Sequence, residues 1–74
     1  MTRRRYLIVI EGDGESYSSY APDLPGCVAT GATRAEVERE MRAAIAFHVE
    51  GLQLAGQPIP EASEFTAVDV EVAA

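Results

Sequence analysis

The chain has 74 residues, 47% of them hydrophobic, with twelve acidic residues against six arginines and a formal charge of −6. That length allows one domain with a small core, since a chain of this size buries only about 60% of its unfolded surface, and the hydrophobic content excludes disorder. The acidic balance argues against direct DNA or RNA binding and favours a basic protein partner, while the single cysteine excludes an intrachain disulfide and suits a reducing cytoplasm.

A single domain is expected over residues 1–74, with its core in 5–72 and a basic tail at 1–4. Arg3, Arg4 and Arg5 read as a solvated lead-in to a strand. No apolar h-region accompanies them, so no signal peptide is expected, and no apolar run approaches the length of a membrane span.

Residues 6–10, Tyr-Leu-Ile-Val-Ile, are aromatic and β-branched and predict a first strand. Both of its faces are apolar: Tyr6, Ile8 and Ile10 on one, Leu7 and Val9 on the other. Such a strand is covered on both sides, or turns one face to another subunit. Gly12-Asp13-Gly14 predicts a hairpin, because glycine supplies positive φ and aspartate closes turns with its own side chain. A second strand over residues 16–21 should then pair antiparallel with the first. Its serines and tyrosines give it a wetter face.

Residues 20–27 read Tyr-Ala-Pro-Asp-Leu-Pro-Gly-Cys. Pro22 and Pro25 fix φ and remove two backbone donors. Each also pushes the residue before it toward extended geometry. Gly26 permits a φ that other residues avoid. The segment is therefore a rigid connection, holding Tyr20 and Asp23 at the edge of a recognition surface. A short third strand follows over residues 27–30, with Cys27 as a small buried apolar side chain.

Thr33-Arg34-Ala35-Glu36 is a capping box. It predicts a helix over about residues 33–54. Val37, Met41, Ala44, Ile45, His48, Val49 and Leu52 recur at helical spacing and form its buried stripe. Phe47 and Leu54 lie off the stripe and could meet a second packing partner. Gly56 stops the helix, and Pro58 and Pro60 forbid continuation. Over residues 65–72, Val68, Val70 and Val72 alternate with Asp69 and Glu71, which predicts a half-buried last strand with an acidic outer face. The order is β-β-β-α-β. The fold class is α+β, a two-layer sandwich of one helix on a mainly antiparallel sheet.

Little here suits catalysis. His48 falls on the apolar stripe and reads as a packed core histidine. One histidine and one cysteine, far apart, match no metal spacing. Asp23 reads as a turn-capping acid, and no acid pair shares an evident cleft. No enzyme activity, catalytic residue, metal or cofactor is expected.

A first strand ending Ile10-Glu11, the Gly/Asp hairpin and the run over residues 20–27 together resemble the HicB-like antitoxin family. So do Gly31-Ala32-Thr33, the helix segment over residues 44–52, and Gly56-Gln57-Pro58-Ile59-Pro60. The resemblance covers residues 5–62. It implies a truncated ribonuclease H-like sheet with one helix, without that enzyme's carboxylate cluster. It also implies a protein that neutralises a HicA-type toxin, a small basic messenger-RNA interferase, in the cytoplasm. Relatives commonly add a helix-turn-helix or ribbon-helix-helix domain. Nothing in this sequence matches one, so direct operator binding is not expected. Tyr17, Tyr20, Asp23, Asp69 and Glu71 are the candidate partner contacts, chosen on exposure and charge. A homo-oligomer is expected as well. The alternative reading is a solitary HicB-like oligomeric structural or regulatory domain with no toxin partner.

Overall fold

The computed structural model describes residues 3–73. Three antiparallel strands, β1 (Val9–Gly12), β2 (Tyr17–Tyr20) and β3 (Val28–Gly31), form one sheet in the order β1-β2-β3, and the helix α1 (Arg34–Leu54) crosses it. The α+β class and the single helix on an antiparallel sheet are as expected. The register runs straight across the three strands. Val9 pairs with Tyr20 and Tyr20 with Val28; Ile10 pairs with Ser19 and Ser19 with Ala29.

The hairpin between β1 and β2 forms as its residues dictate. Asp13 Oδ1 accepts from the backbone N–H of Glu15 at 2.9 Å and of Ser16 at 3.1 Å. Gly14 takes φ 92°. The Glu15 amide first, then that of Ser16, holds the Asp13 carboxyl below the usual carboxylate range.

Thr33 caps the helix, its hydroxyl accepting from the Glu36 N–H at 3.1 Å. The reciprocal arm differs from expectation by one residue. The Glu36 carboxylate accepts from the Ala32 N–H at 3.2 Å, not from Thr33. At the other end Gly56 takes φ 68°, with Gln57 N–H donating to Leu52 C=O at 2.9 Å and Gly56 N–H to Gln53 C=O at 3.1 Å. These two bonds make a Schellman cap.

The core is small and comes from an unexpected source. Its cluster is Ala21, Leu24, Cys27 and Met41, with Tyr6, Ile8, Ala29, Ala44 and Ile45 packed around it. Val37 is also fully buried. Three of the four cluster residues lie in the Pro/Gly connection between β2 and β3. Two turns share Leu24 there. Leu24 N–H donates to Ala21 C=O at 3.0 Å, and Cys27 N–H to Leu24 C=O at 3.1 Å. Each turn has proline in its second position, and Gly26 follows Pro25 with φ 85°, the type II geometry. The paired turns drive the Leu24 side chain under the helix.

The expected last strand over residues 65–72 is corrected. No strand or helix occupies residues 57–73, and Val68, Val70 and Val72 are 77%, 74% and 79% exposed. The reason is a missing ladder. Tyr6 donates its hydroxyl to Pro60 C=O. Ser63 then fastens to Asp23, in the β2–β3 connection. Fastened by these bonds, the tail leaves its alternating valines without a strand partner among the described residues.

Candidate functional site

Side chains alternate across a strand, so register sorts the sheet into two faces. Ile10, Ser19 and Ala29 share the helix side: Ser19 is buried and Ala29 packs on the core cluster. Val9, Tyr20 and Val28 therefore form one row on the opposite face, where no helix or second sheet packs among the described residues; Val9 is half-buried, Tyr20 and Val28 exposed. Leu7 precedes Val9 on the same side, half-buried, because its neighbours Tyr6 and Ile8 pack on the core. Tyr20 is 44% exposed and Val28 64%. An aromatic side chain flanked by aliphatic ones, open to solvent on a flat face, suits protein contact better than small-molecule binding.

Asp23 lies three residues beyond Tyr20, in the rigid connection. Its two carboxylate oxygens accept from Ser63, Oδ1 from the hydroxyl at 2.6 Å and Oδ2 from the backbone N–H at 2.9 Å. The Ser63 hydroxyl first, and its amide second, hold the Asp23 carboxyl below the usual carboxylate range. The charge is thus fixed in position, and the carboxylate also anchors the tail.

The five candidate contacts do not gather at one place. Tyr17 pairs with Gly12 and Gly31 and lies on the side away from Tyr20, half-buried. A side chain at Gly12 would collide with the Tyr17 ring, so glycine makes room for it. Asp69 and Glu71 are exposed on the tail. The row that accompanies Tyr20 includes Val28, which sequence reading did not single out. Counting registers outward from the hairpin would have found it.

The remaining chemistry-bearing groups are placed quietly. Burial raises the pKa of the Cys27 thiol, so it stays neutral inside the core. His48 is half-buried on the helix. Among the described residues no group of three or more His, Cys, Asp or Glu side chains could hold a metal ion. No helix among them is long and apolar enough to cross a membrane.

One pH effect follows from the anchor. Asp23 is a carboxyl whose folded pKa is depressed, so its bond to Ser63 is fully present above the unfolded value of about 3.9. It is lost as pH falls through the lowered folded value. Acidification is therefore expected to release the tail before the helix melts, seen as collapse of Ser63 amide dispersion in NMR at unchanged helical circular dichroism. Ser63→Ala should move the Asp23 titration up toward the ordinary aspartate range. An unmoved Asp23 titration would show that the bond does not form in solution.

Residues 6–72 match the profile of a family described as HicB_like antitoxin of bacterial toxin-antitoxin system. Among known proteins, the chain is 34% identical over 58 residues to an uncharacterised 14.9 kDa protein of the rep-hol intergenic region of Haemophilus phage HP1 (strain HP1c1). That stretch is 78% of this chain but 44% of the phage protein, so the chain spans less than half of that relative. Among solved structures it is similar to a chain of the HicA3 and HicB3 toxin-antitoxin complex. The TM-score is 0.69 at 33% identity, over 81% of this chain and 70% of that one.

Proposed function

The chain belongs to the HicB-like antitoxin family of bacterial toxin–antitoxin systems, and from that premise we propose that it binds a small basic HicA-type toxin and occludes it. The observation that carries the reading is the row of Val9, Tyr20 and Val28, its Tyr20 and Val28 exposed, on a domain of charge −6. The likeness to a chain of a toxin–antitoxin complex supports the same partner class.

The mechanism is coverage, not chemistry. An RNA-cleaving toxin needs a basic surface to hold its substrate, and that surface attracts an acidic protein as well. Net charge speeds encounter and sets orientation. Asp23, fixed by Ser63, supplies a charge of defined position. Asp69 and Glu71 supply charges on a tail that can reach outward. Tyr20 and its aliphatic neighbours supply the desolvated contact from which most affinity comes. Tyr17 takes part where the partner reaches round the β1–β2 turn. The protein acts in the cytoplasm, without cofactor or catalysis and without touching nucleic acid itself.

The test pairs this chain with a basic HicA-type toxin. Titration calorimetry is expected to give stoichiometric binding, and cleavage of a messenger-RNA substrate should stop at equimolar antitoxin. Undiminished cleavage at a several-fold excess would sink the reading. The solitary oligomer is the second reading, favoured by the exposure of Phe47, Leu54 and the tail valines. Heat absent from the titration, with self-association present, would turn the assignment to it.

A further inference from the structure

Three of the chain's six arginines, Arg4, Arg5 and Arg42, come together at a place that the proposed toxin contact does not use. They line an open cavity of about 410 Å³ between the lead-in to β1 and the helix. One carboxylate, Glu38, shares the lining, one helical turn before Arg42. Three positive charges against one negative make a cationic spot on a chain of formal charge −6. In the sequence Arg4 and Arg5 belong only to a solvated lead-in. The fold carries them to the helix, where Arg42 adds the third charge.

The rest of the lining is Tyr6, Ile8, Met41 and Ile45. Met41 is fully buried, whereas Tyr6, Ile8 and Ile45 are half-buried, so apolar surface stays open to water there. The Tyr6 hydroxyl donates to Pro60 C=O, which holds the ring in place as a wall. Met41 is unbranched and polarisable, and adapts to whatever packs on it. Small-molecule sites occupy about 300–1,000 Å³ and combine apolar walls with a few polar groups. This cavity has both the size and the make-up. A guanidinium group matches a carboxylate or phosphate in a two-pronged fork, and it is more weakly hydrated than an ammonium.

We propose that this cavity binds a small amphipathic organic anion. Arg4, Arg5 and Arg42 hold its carboxylate or phosphate head, and its apolar body lies against Tyr6, Ile8, Met41 and Ile45. Charge and shape together select that class. A polyanion such as RNA extends beyond three arginines into the field of a net-negative surface and is repelled. A single head group stays within their reach. A neutral molecule leaves the guanidinium groups without a counter-charge, and a bare phosphate leaves the half-buried side chains in water. Glu38 competes with the head group for the same guanidinium groups and so limits affinity. The occupant joins the lead-in to the helix, and binding therefore stabilises the domain. The Tyr20 row faces away from the helix, so the cavity stands or falls separately from toxin binding.

The test titrates the full chain with 1-naphthoate and 1-naphthyl phosphate, against 1-naphthol and inorganic phosphate as the neutral and head-only probes. Methyl NMR should show saturable shifts at Ile8, Met41 and Ile45 with the two aryl anions, and the tighter of the two identifies the head group the site takes. The thermal midpoint should rise with anion concentration. 1-Naphthol and inorganic phosphate should bind about tenfold more weakly or worse. Arg42→Ala should weaken anion binding about tenfold, the loss of one charge-assisted pair. Glu38→Gln should tighten it about threefold by removing the competing carboxylate. Arg42 and Glu38 are both exposed on the helix, so neither change should alter the fold. Arg39→Ala removes the same charge from the same helix outside the cavity and should leave binding unchanged. Absence of saturable shifts, shifts centred elsewhere, equal binding of 1-naphthol, or equal effects of Arg39→Ala and Arg42→Ala would each overturn the proposal.

Discussion

Leu24→Ala is expected to bring this domain close to unfolding, although Leu24 sits in a connection between strands. A core leucine truncated to alanine costs about 2–5 kcal/mol, more where the site cannot collapse onto the gap. A chain of this length has on the order of 4–11 kcal/mol in total, at roughly 0.05–0.15 kcal/mol per residue. Leu24 falls at the expensive end. It is the largest fully buried side chain, at the junction of two turns whose prolines and backbone bonds hold them in place. The backbone cannot follow a shortened side chain inward, so the cavity persists. Urea titration by circular dichroism should show the midpoint falling by half or more with an unchanged slope. Leu54→Ala is the control: Leu54 is exposed, and its loss should leave the midpoint in place. If Leu24→Ala unfolded like Leu54→Ala, the connection would be a surface loop after all.

That expectation separates what sequence pattern carries from what it does not. Val37 and Met41 announce themselves as core because a helix repeats, and residues at helical spacing must share a face. The Thr33 cap and the Gly56 stop were legible for a similar reason, since both are local chemistry within a few residues. Leu24 has no periodic neighbours. Its burial depends on two turns closing in succession, and the residues that close them look like the marks of an exposed loop. The sequence marks the connection as a rigid recognition edge; its larger role as the floor of the core depends on the fold.

The tail failed in the opposite sense. Its alternation is a true strand signal, but alternation states which face is apolar, not which edge will pair with it. The Asp23–Ser63 anchor spans forty positions, and no local pattern foretells it. Expected exposure puts Tyr17 and Tyr20 together as candidate contacts. Three residues apart on one strand, they must face opposite ways, and period two alone would have parted them.

The parting of the tyrosines makes the second large effect specific. Tyr20→Ala is expected to weaken toxin binding by about thirtyfold, the roughly 2 kcal/mol typical of a central aromatic contact. Tyr17→Ala should do much less to affinity and more to stability, because that ring is half-buried beside Gly12. Val28→Asp should match or exceed the Tyr20 effect. It places a charge beside the same aromatic, in the middle of a contact that must shed water, and an unpaired charge there costs more than a missing ring. Neither Tyr20→Ala nor Val28→Asp should shift the urea midpoint much, since both side chains are substantially exposed in the free chain. Tyr20→Phe divides the ring from the hydroxyl, and near-full binding is expected if desolvated area carries the energy. Asp69→Asn with Glu71→Gln should leave the dissociation rate almost unchanged and slow association at low salt, the mark of charges that steer without docking. The competing outcome is equally definite. If Tyr20→Ala and Val28→Asp bind with wild-type affinity while the tail variant loses binding, the toxin meets the acidic tail, and the uncovered row of the sheet serves some other contact.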